Sequence, residues 1–190
     1  KEYIDQLGLN GKKYITLCSS LGGTVLIKAL AKDYLQPTAA IMIGPNVEYH
    51  ITLFAKVVSL LIPKFLVKRG LLPFVKFYLS RVYVDAKNEP EQIIKYMRAV
   101  EEADMVKTLP LLRKMRHYQI WTELTQVKTK TLLIGASMDK MHATQDCLKT
   151  HELMPNSKYV DLGSNKATHS EPLIDELKKL IEELEKERIA

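Results

Sequence analysis

The sequence predicts an α/β protein: a parallel sheet flanked by helices, with a helical cap inserted between strands. Three observations lead there. Short apolar runs of strand length alternate with segments of helical period, the pattern of strands joined by crossover helices. The run 39–43 is apolar throughout, as a strand covered on both faces must be. Between residues 47 and 126 the pattern turns helical and no strand can be read. With 190 residues, 46% hydrophobic and 26% charged, the chain can bury one sizeable core.

The elements follow in order. Residues 2–9 are helix-like and end at the Asn10-Gly11 turn. Residues 13–18 form a strand. Residues 21–34 form a helix, with Leu26, Ile27, Leu30 and Tyr34 at helical spacing and Gln36-Pro37 as its stop. The strand 39–43 ends at Gly44-Pro45. Residues 130–134 return to strand, 144–153 to helix, and Met154-Pro155-Asn156-Ser157 turns the chain into a strand at 158–162. Residues 171–188 make an amphipathic helix with Leu173, Ile174, Leu177, Leu180, Ile181 and Leu184 on one face and Pro172 in its first turn. The expected division is a core of 1–46 and 127–190 and a helical cap of 47–126.

Composition narrows the function. The net charge is +6, but the basic residues are scattered and build no nucleic-acid module. Cys18 and Cys147 are too few for a disulfide framework, so reduced thiols in the cytoplasm are the simpler reading. There is no CxxC pair, no HExxH and no P-loop, so no metal and no cofactor is expected. No secretory signal follows Lys1.

The segment 51–81 stands apart. It holds Lys56, Lys64, Lys68, Arg69, Lys76 and Arg81, no acidic residue, and 19 apolar or tyrosine positions out of 31. Its lysines interrupt any run of the roughly 18 apolar residues that a membrane span needs. Three readings stand: a cap with its lysines in water, a cap lining an apolar acyl pocket, or an element in transient contact with an anionic membrane surface.

The chemistry centres on Cys18-Ser19-Ser20-Leu21-Gly22-Gly23, directly after the run Tyr14-Ile15-Thr16-Leu17. A strand that breaks into a serine among small residues and runs into a helix presents a hydroxyl clear of the backbone. A turn or helix-cap serine is the plain alternative. Two loops further on carry an acid and a histidine. Asp139 follows the strand-like Thr131-Leu132-Leu133-Ile134-Gly135, and His169 follows Tyr159-Val160-Asp161-Leu162-Gly163 and precedes a helix.

Serine, acid and histidine in this order, each after a strand, resemble the α/β-hydrolase superfamily. The resemblance covers both ends of the chain and is weaker in the middle. It implies a partial α/β-hydrolase fold lacking its N-terminal strands, as in the later part of a longer hydrolase chain. Cys18 stands where the family's Gly-x-Ser-x-Gly pattern has its first glycine, and Asp139 lies four residues after Gly135 where three is usual.

The resemblance further implies a lipase-like serine esterase. Ser20 would attack the carbonyl of a small-molecule or lipid-like ester, His169 would carry the proton, and Asp139 would hold the imidazole. The Leu21 backbone N–H would serve the oxyanion hole, its second donor coming from upstream of this chain. Lactonases, thioesterases and peptidases would use the same three residues. Two other classes compete. A degenerate, non-catalytic binding protein of this fold would bind without turnover, and a basic adaptor would bind anionic partners with steep salt dependence.

Overall fold

The computed structural model describes residues 2–9, 11–49, 73, 77, 90–115, 117–138 and 144–189. The chain divides into two compact units, one of residues 1–47 and 120–190, the other of 48–119.

The first unit starts with helix α1 (Glu2–Gln6), which Gly8 at φ +63° ends. Strand β1 (Ile15–Ser19) leads through a one-residue turn into helix α2 (Leu21–Ala31), and strand β2 (Ala39–Ile43) follows. The second unit begins at Glu48 and contains helices α3 (Pro90–Glu102) and α4 (Met105–Met115). Its two ends meet as an isolated antiparallel bridge, Glu48 to Gln119, with the rings of Tyr49 and Tyr118 6.1 Å apart. The first unit resumes with the short helix α5 (Trp121–Leu124), strand β3 (Thr131–Gly135) and helix α6 (Thr144–Leu153). Strand β4 (Ser157–Asp161), a 3-10 turn at Ala167–His169 and helix α7 (Glu171–Ile189) complete it.

Among the described residues the sheet has four parallel strands in the order β1-β2-β3-β4. The register aligns the strand ends: Ser19 lies beside Ile43, Ile43 beside Ile134, and Gly135 beside Asp161. Every turn that follows a strand therefore opens at one edge, where α/β sheets place their chemistry.

Burial explains the order. All of β2 and β3 is buried, so both are central and apolar on both faces. One face packs Ala39, Ile41, Ile43, Leu132 and Ile134 against Leu173 and Leu180 of α7. Leu177 and Leu184 join this cluster partly buried, so the seam of α7 runs 173, 177, 180, 184. Ile174 and Ile181, expected on that face, flank it and are 48% and 42% exposed. Leu26, Ile27 and Leu30 of α2 are buried, whereas Tyr34 lies beyond the end of α2 and is exposed. Ile120 and Leu124, expected in the cap, are fully buried in the first unit, and α5 contacts α2 and α6. Leu17 in the edge strand β1 is 51% exposed.

Candidate active site

Ser20 is the whole turn between β1 and α2, and it adopts φ +52°, ψ −118°. A residue with a Cβ rarely takes positive φ, and strain of this kind costs about 1–3 kcal/mol. The surroundings enforce it. The Ser20 N–H donates to the Ile43 carbonyl at 2.9 Å, and the Ser20 carbonyl accepts from Gly23 N–H at 2.9 Å. Ser20 occupies the N-cap position of α2, yet its hydroxyl makes no capping hydrogen bond. The helix-cap explanation of this serine therefore fails.

The small residues around the turn have steric causes. A Cβ on Gly22 would stand 3.3 Å from the Cys18 Cβ, a tight contact that a shift of a few tenths of an ångström would relieve. A Cβ on Gly23 would lie 2.6 Å from the Pro45 Cβ and 2.9 Å from its Cα. Cys18 itself is no nucleophile: its thiol donates to the Ile41 carbonyl at 3.6 Å, and burial pushes its pKa up to about 12.

Leu21, the first residue of α2, is 44% exposed, and its N–H has no acceptor within the helix. Asn46 is a residue the sequence reading missed. Its Nδ2–H donates to Ser20 Oγ at 3.0 Å, and its backbone N–H reaches the Ser20 carbonyl at 3.4 Å. The only sequence signal for it is position: it follows Gly44-Pro45 at the end of the strand beside β1.

His169 is exposed and ends the 3-10 turn after β4. Its Nδ1 lies 3.0 Å from the Asn165 carbonyl and 2.9 Å from Thr168 Oγ1. A carbonyl can only accept, and the Thr168 hydroxyl already donates to that same carbonyl at 2.8 Å. Nδ1 therefore carries the proton, and Nε2 is left as the basic nitrogen. A small cavity at the carboxyl ends of the strands is lined by Ser19, Gly44, Ile134, Ala136, Thr168 and His169, among others. Its volume of about 10 Å³ holds about one water and no acyl chain.

Asp139 and His142 lie outside the described residues, as do His50 and most of 51–81. Within that segment Pro73 and Phe77 are described, and both are exposed. The loop that leads to Asp139 is nevertheless well tied. Asp161 Oδ1 accepts from Ser137 N–H and Gly163 N–H, both at 2.9 Å, and Met138 N–H donates to the Gly163 carbonyl at 2.8 Å. Burial pushes the Asp161 carboxyl up, but these hydrogen bonds outweigh it and hold its pKa below the usual carboxylate value. Asp161 thus clasps the loop after β3 to the loop that ends in His169.

A serine–histidine contact is seen elsewhere and closes a helix. His151 Nδ1 lies 2.8 Å from Ser157 Oγ, but at the opposite end of the sheet, where Ser157 also bonds the Met154 and His151 carbonyls that close α6. His117 is exposed. Trp121 lies under the Lys149 ammonium, 3.8 Å from its ring centroid. No helix among the described residues is long and apolar enough to cross a membrane.

Comparison with solved structures identifies the fold as that of the α/β-hydrolases. The chain superposes on an esterase from Thermogutta terrifontis with a TM-score of 0.71 at 16% identity, covering 96% of this chain and 69% of that one. An enol-lactonase from Burkholderia xenovorans LB400 gives 0.68 at 13% identity, covering 96% and 68%. A bromoperoxidase from Bacillus anthracis gives 0.68 at 14%, covering 97% and 71%. No protein-family model and no curated protein sequence matches the chain.

Proposed function

We propose that this chain is a serine hydrolase that cleaves a carboxylic ester with an apolar acyl group through an acyl-enzyme. The observation that carries the reading is Ser20: a non-glycine residue at φ +52° on a strand–helix turn, with no capping bond, at the sheet edge that His169 also reaches. Strain of this kind is kept where a site needs it.

Ser20 Oγ attacks the ester carbonyl, and His169 Nε2 takes its proton and returns it to the leaving alcohol. Asp139 steadies the imidazolium. The Leu21 N–H stabilises the oxyanion, a donor whose loss typically costs on the order of 100–1000-fold in rate. The apolar acyl preference rests on the composition of 51–81. That an esterase and a lactonase share the fold agrees with acyl transfer and does not choose between substrates.

The test is fluorophosphonate labelling with the modified peptide identified by mass spectrometry. Labelling at Ser20, lost in His169→Ala, supports the reading; a p-nitrophenyl ester series of rising chain length then fixes the acyl preference. A folded protein that never labels supports the non-catalytic alternative. One observation favours that alternative: His169 Nδ1 is engaged by the Asn165 carbonyl and the Thr168 hydroxyl.

A further inference from the structure

We propose that Asn46 is a catalytic residue of this site, its Nδ2–H holding the attacking oxygen of Ser20. The inference rests on the reading of Ser20 as nucleophile and adds a group that the triad and the Leu21 N–H do not supply.

Three contacts fix Asn46 to the turn. Its side-chain amide donates to Ser20 Oγ at 3.0 Å, and its backbone N–H reaches the Ser20 carbonyl at 3.4 Å. Its carbonyl accepts from the hydroxyl of Thr24, a buried residue of α2. Pro45, immediately before it, is in contact range of Gly23, so the chain entering Asn46 has little freedom. The amide is therefore held against the nucleophile by the same packing that builds the turn.

The chemical consequence follows from counting electron pairs. A serine hydroxyl has one proton and two lone pairs. An N–H on one lone pair leaves the other for attack and turns the O–H bond away from Asn46. In acylation the Oγ–carbon bond forms, the carbonyl π pair moves to the carbonyl oxygen, the Oγ proton passes to His169 Nε2, and the N–H fixes the direction of the attacking lone pair. The alcohol leaves with that proton. In deacylation a water oxygen bonds the acyl carbon and gives its proton to His169. The Oγ–carbon bond then breaks, the proton returns to Oγ, and the same N–H eases the departure of Oγ.

The test uses two substitutions and one signal independent of turnover. Asn46→Asp is nearly isosteric but replaces the donor by an acceptor with charge, and Asn46→Ala removes the group. Both are expected to slow fluorophosphonate labelling of Ser20 by about 3- to 10-fold, the range for one neutral hydrogen bond. They should lower kcat on p-nitrophenyl butyrate with little change in KM. In the amide spectrum of ¹⁵N-labelled protein, Ser20→Ala should shift the Asn46 side-chain signals.

Labelling of Asn46→Asp as fast as the parent would overturn the donor role. Asn46 signals unmoved by Ser20→Ala would overturn the contact itself, even if neither Asn46 variant folds. Both results leave Ser20 as nucleophile. A parent protein that never labels removes the nucleophile, and this proposal with it.

Discussion

Close packing limits which residues fit at the turn. Gly23 faces Pro45 so closely that Gly23→Ala must move the turn. Overpacking of this kind costs about 1–3 kcal/mol; urea denaturation should show that loss, and Ser20 labelling should fall with it. Cys18 answers to a thiol titration. With its pKa pushed up to about 12 by burial, it should resist alkylation at pH 9 in the folded protein and react once urea unfolds it. Asp161 gives a pH test. Its folded pKa is depressed, so its stabilising contribution is present above the unfolded value of about 3.9 and is lost as pH falls through the lower folded value. Asp161→Asn should therefore flatten the fall in stability below about pH 4, measured by denaturant melts across that range.

At the level of elements, α7 offers the sharpest contrast. Leu180 belongs to the core cluster and Ile181 is 42% exposed. Leu180→Ala should cost about 2–5 kcal/mol and Ile181→Ala far less, readable from denaturation midpoints. The sequence distinguished these two neighbours poorly, because a 3.6-residue period paints a broad stripe and only contact with the sheet narrows it. Strands fared better. The run 39–43 was legible to the residue, since an all-apolar pentapeptide closed by Gly-Pro has few other uses. Tyr34 was misplaced because helical spacing continued past the point where α2 stops. The positions of Ser20 and His169, in turns after β1 and β4, could be read because each follows an apolar run and precedes a helix. The contact of Asn46 with Ser20 could not, since it depends on β2 lying beside β1, which is a tertiary fact. The clasp made by Asp161 is visible only with the register of β3 and β4.

Among the described residues the sheet has an open lateral edge at β1: that strand has a neighbour on one side only, and Leu17 is half exposed there. Open strand edges recruit other chains. Sedimentation of this 190-residue chain should show concentration-dependent association that Leu17→Lys reduces. The turn at Ser20 bears on the molecule's total stability as well. A domain is typically stable by only about 5–15 kcal/mol, and a side-chain-bearing residue at φ +52° gives up a noticeable share of that. Glycine alone occupies that conformation without strain. Ser20→Gly should therefore melt at a higher temperature than Ser20→Ala, and higher than the parent. If it does, the side chain at this turn keeps the fold below its own best stability, and a robustness screen would replace the very residue on which the proposed activity depends.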